Sequence, residues 1–175
     1  VGIITRFSRL RADIMYAPKE CSHCLASPCV ASRKSLRHLA RYTKGTQDIV
    51  LLLEPDMKEL FRLKGSVDSN WGNCLKTRNF TSGVLIKFLS CPVLFKSVTQ
   101  AVPASSSAEA ELYAMGSGGS EIVGIQSVLS ELSDAGMSTN TQGSPAPGAP
   151  EVDSDSKSGS AVANKRGLGK KKHSG

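Results

Sequence analysis

Three consecutive strand-like runs, followed by one long helical pattern, constrain the fold of this 175-residue chain more than any other feature. The first run, residues 61–68, alternates apolar and polar side chains. The second, residues 84–89, is apolar except for one lysine, which is typical of a strand buried on both faces. The third, residues 93–98, follows a predicted turn at 90–92. Consecutive strands usually pair as an antiparallel meander, so we expect one here.

A helical pattern then runs from about Ser107 to Leu132. Its apolar stripe consists of Leu112, Met115, Ile122, Ile125, Leu129 and Leu132, with Gly119 filling the gap. Gly116, Gly118 and Gly119 weaken the helix by roughly 1 kcal/mol each relative to alanine. Two interpretations of these glycines remain open: they let the helix approach the sheet closely, or they reflect drift without selection.

The C-terminal part is less regular. Residues 133–150 are rich in Ser, Thr, Gly, Ala and Pro, which predicts a flexible linker. A fourth strand is predicted at 151–154, although Glu151 and Asp153 occupy positions where a central strand usually has Val or Ile. A short helix at 156–164 comes next, and a basic tail follows it with Lys165, Arg166, Lys170, Lys171 and Lys172.

The first 45 residues have a helical and basic pattern. Cations recur there at helical spacing, namely Arg33, Arg37, Arg41 and Lys44. The opposite side carries an apolar stripe of Leu36, Leu39 and Ala40, and Gly45 suits the position just after the helix. Both basic segments have two open interpretations, a solvated surface or a nucleic-acid contact, and the tail also resembles a nuclear import signal.

The net charge of +7 and the pI near 9.3 favour an anionic partner, and nucleic acid is the obvious candidate. No run of 18 apolar residues is present, so we expect no membrane span. No basic-then-apolar signal segment begins the chain, so we expect a cytoplasmic or nuclear location and no secretion.

The five cysteines suit a reducing compartment because they are odd in number. Cys21 and Cys24 have C-x2-C spacing, and His23 and Cys29 lie nearby. A structural zinc site usually takes four ligands in two pairs, and no second pair follows. We therefore expect these cysteines to be small apolar core residues, with a zinc module as the alternative.

Three acidic residues lie at the ends of predicted elements: Asp68 ends a strand, Glu111 begins the long helix, and Asp155 follows the fourth strand. The gaps are 111 − 68 = 43 and 155 − 111 = 44 residues, enough for a strand-and-helix unit between each pair. Carboxylates brought together can hold two divalent metals about 3.5–4 Å apart, which activate water and stabilise a displaced phosphate oxygen.

Glu109 and Asp153 compete for two of these positions. Glu109 lies two residues from Glu111, which is about 200° around a helix, so both cannot point into one site. Ser106 and Glu109 fit an S-x-x-E capping box in which Glu109 bonds the Ser106 amide, which leaves Glu111 for the site. Strand alternation puts Asp153 and Asp155 on one face and does not decide between them.

The motifs Val67-Asp68-Ser69-Asn70-Trp71, Glu111-Leu112-Tyr113-Ala114 and Asp155-Ser156-Lys157-Ser158 resemble the ribonuclease H domain of copia-type retrotransposon polyproteins. The resemblance covers roughly residues 10–173 and selects Asp155 over Asp153. It implies four segments. Residues 1–58 resemble the end of the reverse-transcriptase part, 59–132 form the ribonuclease H-like core, 133–150 are the linker, and 151–175 contain the fourth strand, short helix and basic tail.

The resemblance implies a mixed sheet flanked by helices and hydrolysis of the RNA strand of an RNA–DNA hybrid. Asp68, Glu111 and Asp155 would be catalytic residues and ligands of two Mg²⁺ ions, or of Mn²⁺ in their place. Partners would be the hybrid or another nucleic acid and the rest of the polyprotein. The family uses a fourth acid after a fifth strand, and neither has a counterpart before Gly175, so we expect a C-terminally incomplete fold with impaired activity.

Other interpretations stay open on the sequence. One is a non-catalytic nucleic-acid-binding remnant of a decayed element, which the weak fourth strand and helix glycines favour. Another is a transposon integrase of the same fold, but integrases have their glutamate last, and the order here is Asp, Glu, Asp. The valine at position 1 suggests a piece cut from a longer product.

Overall fold

A computed structural model describes residues 1–57, 62–70, 80–135 and 149–155. The helices within these ranges are α1 (Gly2–Phe7), α2 (Tyr16–Ser22), α3 (Val30–Gly45) and α4 (Ser107–Asp134). The strands are β1 (Leu63–Asn70), β2 (Thr81–Phe88), β3 (Cys91–Thr99) and β4 (Glu151–Ser154). Short 3-10 turns at Ser8–Leu10 and Ala12–Ile14 connect α1 to α2.

The four strands form one mixed sheet in the order β3-β2-β1-β4. The pairs β1–β2 and β2–β3 are antiparallel, which confirms the predicted meander, and β1–β4 is parallel. Parallel neighbours need a crossover, which α4 supplies between β3 and β4. The mixed α/β class predicted from the sequence is therefore confirmed, and this topology is compatible with a ribonuclease H-like fold.

The β2–β3 hairpin turns one residue earlier than predicted. Phe88 pairs with Cys91, so Leu89 and Ser90 alone form the loop. Both have positive φ, 49° and 65°, as a type I′ turn requires. Cys91 and Pro92, which the sequence placed in the turn, already belong to β3.

The apolar composition of β2 predicted burial on both faces, but the strand is buried on one face only. Ser82, Val84 and Ile86 are buried, Leu85 between them is half-buried, and Lys87 is exposed. The buried side faces α4, which crosses β1 and β2. The core there consists of Leu63, Val67, Val84, Ile86 and Ile122.

Small side chains let α4 lie close to β1. Its buried stripe repeats every four residues through Ala110, Ala114, Gly118 and Ile122. A Cβ at Gly118 would collide with the Val67 side chain, whereas Gly116 and Gly119 face open space. The stripe therefore uses Gly118 where the sequence suggested Gly119. Close approach explains Gly118, and nothing in the structure explains Gly116 or Gly119.

The N-terminal helices contact the sheet through α2. The Lys19 ammonium donates to the Thr81 hydroxyl at 2.6 Å, and His23 Nε2 lies 3.2 Å from the Thr99 hydroxyl. Arg11, which is buried, joins this segment to the end of α3 by donating to the Thr46 carbonyl at 2.8 Å. The N-terminal segment therefore touches the sheet at the ends of β2 and β3.

Several helix ends differ from the predicted ones, and several predicted segments lie outside the described residues. Helix α3 includes Gly45 and has Thr46 as its C-cap, and α4 continues to Asp134, inside the predicted linker. Most of that linker, the short helix at 156–164 and the basic tail lie outside the described residues. Among the described helices, none is long and apolar enough to span a membrane.

Candidate metal centre

The parallel pairing of β1 with β4 makes Asp68 and Asp155 neighbours. The last paired residues are Val67 and Ser154, and each is followed directly by one of the two acids. Adjacent strands lie about 4.8 Å apart, so residues one step beyond a shared pair remain close. The two carboxylates therefore meet where the β1–β4 pairing ends.

Helix α4 supplies the third carboxylate. Its N-cap is Ser106, whose hydroxyl accepts a hydrogen bond from the Glu109 amide at 3.2 Å. Glu111 lies in the buried stripe with Ala110 and Ala114, so its side chain points toward the sheet. The Ser69 hydroxyl of β1 donates to Glu111 Oε1 at 2.9 Å, which ties the helix to the strand beside Asp68.

The three predicted acids converge. One ligand oxygen from each of Asp68, Glu111 and Asp155 lies within 4.8 Å of the others, and these residues are the one such group among the described residues. Asp68 and Asp155 are exposed, whereas Glu111 is only 6% exposed. Glu111 Oε2 is buried without a hydrogen-bond partner among the described residues. A buried oxygen of this kind normally has a partner, so a bound cation would satisfy it.

The environment of Glu111 disfavours its charged form. Burial raises the pKa of its carboxyl, and the negative charges of Asp68 and Asp155 raise it further. The hydrogen bond from Ser69 acts in the opposite direction by stabilising the carboxylate. A divalent cation at the group would reverse this balance because it neutralises the repulsion among the acids.

Glu109 has the structural position that the sequence predicted, with one change of partner. Its Oε2 accepts from the Ser105 amide at 2.7 Å, and not from the Ser106 amide as a capping box would have it. The Tyr113 hydroxyl donates to Oε1 at 2.8 Å. These two bonds lower the pKa of the half-buried Glu109 carboxyl, and Glu109 is outside the acidic group.

Asp153 is also outside the acidic group. It pairs with Ser66, occupies the next-to-last position of β4, and is exposed. Glu151 on the same strand pairs with Arg62 at 2.9 Å. The polar character that made β4 a weak prediction therefore lies on exposed positions, and Asp155 is the β4 acid that meets the other two.

A buried polar layer beneath the acids was not predicted. Ser69 and Ser82 are cross-strand partners, and both are buried. Gln100 Nε2 donates to the Ser82 hydroxyl at 2.9 Å and to the Ala110 carbonyl at 2.8 Å, next to Glu111. The alternation of each strand could have predicted this layer, because both serines occupy inward positions in strands whose other inward side chains are mostly apolar.

The predicted basic residues of α3, namely Arg33, Arg37, Arg41 and Lys44, are all exposed. The tail cations Lys165, Arg166, Lys170, Lys171 and Lys172 lie outside the described residues. The cysteine cluster differs from the predicted core. Cys21 and Cys24 are half-buried, whereas Cys29 is exposed and caps α3. His23 contacts Thr99, and within the described ranges no metal-ligand group includes these cysteines.

Comparison with curated proteins finds one partial relative. An uncharacterized mitochondrial protein of Arabidopsis thaliana is 29% identical over 116 residues, which are 66% of this chain and 47% of that protein. The chain thus spans about half the length of this relative. No protein-family model matches the chain, and no solved structure matches it. Function must therefore be inferred from the site itself.

Proposed function

We propose that this chain is a ribonuclease H-like domain of a copia-type retrotransposon polyprotein, which hydrolyses the RNA strand of RNA–DNA hybrids. One observation carries the proposal, the convergence of Asp68, Glu111 and Asp155 within 4.8 Å at one end of a mixed sheet. The order β3-β2-β1-β4 and the helix that crosses β1 are compatible with that fold. The partial relative adds weak support, since its name states no activity.

The donor set fits a hard divalent cation. All three side chains offer carboxylate oxygens, which Mg²⁺ and Mn²⁺ prefer, and Glu111 Oε2 is an acceptor without a described partner. Asp68, Glu111 and Asp155 would hold the metal. When bound, two such ions activate water and stabilise the leaving oxygen of a phosphodiester.

Neighbouring side chains orient the Glu111 carboxylate, and the two aspartates are open to solvent. Ser69 fixes Oε1 of Glu111 and leaves Oε2 for the metal, while Gln100 anchors the carbonyl of the preceding residue. Asp68 and Asp155 are exposed, so a phosphodiester can approach the group from solvent. Hybrids would be gripped through phosphates and 2′-hydroxyls, which need no base-specific contact.

The test is cleavage of an end-labelled RNA–DNA hybrid in Mg²⁺, with duplex DNA as the substrate control. We expect RNA-strand cleavage that disappears in Asp155→Asn and persists in the matched variant Asp153→Asn. The described carboxylates number three where the resembled family has four, so we expect a slow rate. Cleavage that survives Asp155→Asn, or its complete absence in the unaltered chain, would reject the proposal.

A second candidate is a non-catalytic nucleic-acid-binding remnant. The exposed cations Arg33, Arg37, Arg41 and Lys44 on α3 favour it, together with the net charge of +7. Binding of this kind weakens with salt because counterions are released from the nucleic acid. Salt-sensitive binding of hybrid without cleavage at any Mg²⁺ or Mn²⁺ concentration would select this candidate.

A further inference from the structure

A groove with several cations lies between the N-terminal helices and β3. Its volume is about 690 Å³, and Arg9, Lys19 and Lys96 line it together with hydroxyl groups. Its carboxylate, Glu121, is already paired with Lys96 at 2.6 Å. The lining hydroxyls of the N-terminal segment already donate to backbone carbonyls, so the positive charge of the cations is what suits the groove to a phosphate-bearing ligand.

One row of the sheet connects this groove with the acidic group. Asp68 pairs with Gly83, and Gly83 pairs with Ser97, which lines the groove. Cross-strand partners project from the same face, so Asp68 and Ser97 share the face opposite α4. Two strand spacings separate them by about 10 Å. Gly83 has no side chain, so the row between them is free of a side-chain barrier.

The cations of the groove differ in how they are held. The Arg9 side chain is exposed and makes no hydrogen bond or ion pair with the part of the chain that the structure describes. Lys19 is less exposed, donates to Thr81 at 2.6 Å and pairs with Glu20 at 2.8 Å. Arg9 is therefore the side chain with the most capacity for an added anion, and Lys19 contributes fixed positive charge.

We propose that this groove binds the sugar-phosphate backbone of the nucleic-acid strand whose reacting phosphate lies at Asp68, Glu111 and Asp155. The inference rests on the proposed function and names its substrate path. A nucleic-acid strand carries one charge per 3.4 Å of helix axis, so the distance of about 10 Å between Asp68 and Ser97 corresponds to roughly three nucleotides. The phosphates next to the reacting one would then lie over Gly83 and Ser97 and near Arg9.

This path is separate from the basic face of α3, because it uses residues of α2, of the 3-10 turn Ser8–Leu10 and of β3. It also gives the N-terminal segment a role in substrate binding. Lys19 and His23 hold α2 against β2 and β3, which keeps the groove aligned with the row that leads to Asp68.

The test compares Arg9→Gln with Arg6→Gln, which removes an exposed cation only three residues away that does not line the groove. Affinity for a fluorescein-labelled RNA–DNA hybrid is measured by anisotropy over a range of NaCl concentrations, with Ca²⁺ as the divalent ion. We expect Arg9→Gln to reduce the slope of log K against log salt by about 1, and Arg6→Gln to leave it unchanged. Ser97→Lys should increase the slope by a similar amount.

If the slope of log K against log salt is the same for all three variants, the groove does not bind the nucleic acid. This holds even if the chain cleaves hybrids in Mg²⁺. A reduced slope in Arg9→Gln supports the groove whether or not cleavage is seen. Absence of cleavage together with that reduced slope would instead count against the proposed catalysis. The two failures are therefore distinguishable.

Discussion

At the scale of single residues, two glutamates on one helix show how position decides role. Glu109 and Glu111 differ by about 200° around α4, so Glu109 accepts from the Ser105 amide at the start of the helix and Glu111 is buried beside Ser69. Residue chemistry and helix geometry predicted this division from the sequence. The Ser105 partner of Glu109 was not predictable, because it depends on the path of the chain before the cap.

We expect Glu111→Gln to raise the free energy of unfolding of the metal-free protein at neutral pH, by about 1 kcal/mol or more. The reason is that a buried carboxylate with an unpartnered oxygen opposes folding. The pKa of Glu111 is higher in the folded protein than its ordinary value of 4.5, so this cost exists above the folded pKa and disappears as pH falls below 4.5.

Urea unfolding of both proteins over a pH series measures this difference. The two free energies should converge at acidic pH and separate toward neutral pH. Glu109→Gln is the control, and it should lower stability slightly because it weakens the bond to the Ser105 amide. A less stable Glu111→Gln at neutral pH would contradict the account.

Asp13 should have the opposite pH dependence. Hydrogen bonds from Arg11 at 2.8 and 2.7 Å, together with one from the Tyr42 hydroxyl, lower the pKa of Asp13 to about 2 from 3.8. Its contribution is therefore present above pH 3.8 and lost as pH falls through about 2. Asp13→Asn should cost about 1–2 kcal/mol at neutral pH, whereas Asp48→Asn at an exposed position should cost little.

Chemical denaturation at neutral pH and at pH 3 checks this expectation. The gap between the unaltered chain and Asp13→Asn should narrow at the lower pH. A gap that is equal at both values would show that the Arg11–Asp13 pair contributes no pH-dependent stability.

At the scale of elements, alternation and turn chemistry predicted the strands well and the contacts poorly. Period-two alternation predicted β1, a nearly continuous apolar run predicted β2, β3 was predicted after a turn, and β4 was predicted despite its acids. The β2–β3 turn was misplaced because Leu89-Ser90 lacks the Asn-Gly signal of a type I′ turn. The two-sided burial expected of β2 was wrong because composition does not reveal which face receives a helix.

Two glycines of α4 should respond in opposite directions to alanine. Gly118→Ala places a Cβ against the Val67 side chain and should destabilise by about 1–3 kcal/mol. Gly119→Ala meets open space and should stabilise by about 0.5–1 kcal/mol through helix propensity. Thermal unfolding of the two variants is a direct comparison, and a stabilising Gly118→Ala would show that α4 does not lie this close to β1.

The β2–β3 hairpin offers a further check. Leu89 and Ser90 both adopt positive φ, which disfavours ordinary side chains. Replacing them with Asn and Gly should stabilise the protein by about 1 kcal/mol, because these residues prefer a type I′ turn. Unfolding midpoints in urea would measure the gain, and a loss of stability would contradict the two-residue turn.

At the scale of the whole molecule, the resemblance of the sequence motifs predicted that the three acids share one site, but their spacing along the chain did not. Gaps of 43 and 44 residues are compatible with many arrangements. Asp68 and Asp155 meet because β4 pairs parallel with β1, a long-range contact that local patterns do not encode. The contacts of Lys19 and His23 with the sheet are also long-range, and so is the groove that Lys19 helps to line.

We infer that Asp68, Glu111 and Asp155 form one divalent-metal centre. The most direct measurement is a Mn²⁺ titration followed by electron paramagnetic resonance, with the unaltered chain, Glu111→Gln and Asp155→Asn, and with Glu109→Gln and Asp153→Asn as matched controls. We predict saturable Mn²⁺ binding that Mg²⁺ displaces, that weakens at least tenfold in the first two variants and that persists in the two controls. Mn²⁺ binding that is absent from the unaltered chain, or equal in all four variants, would contradict the account.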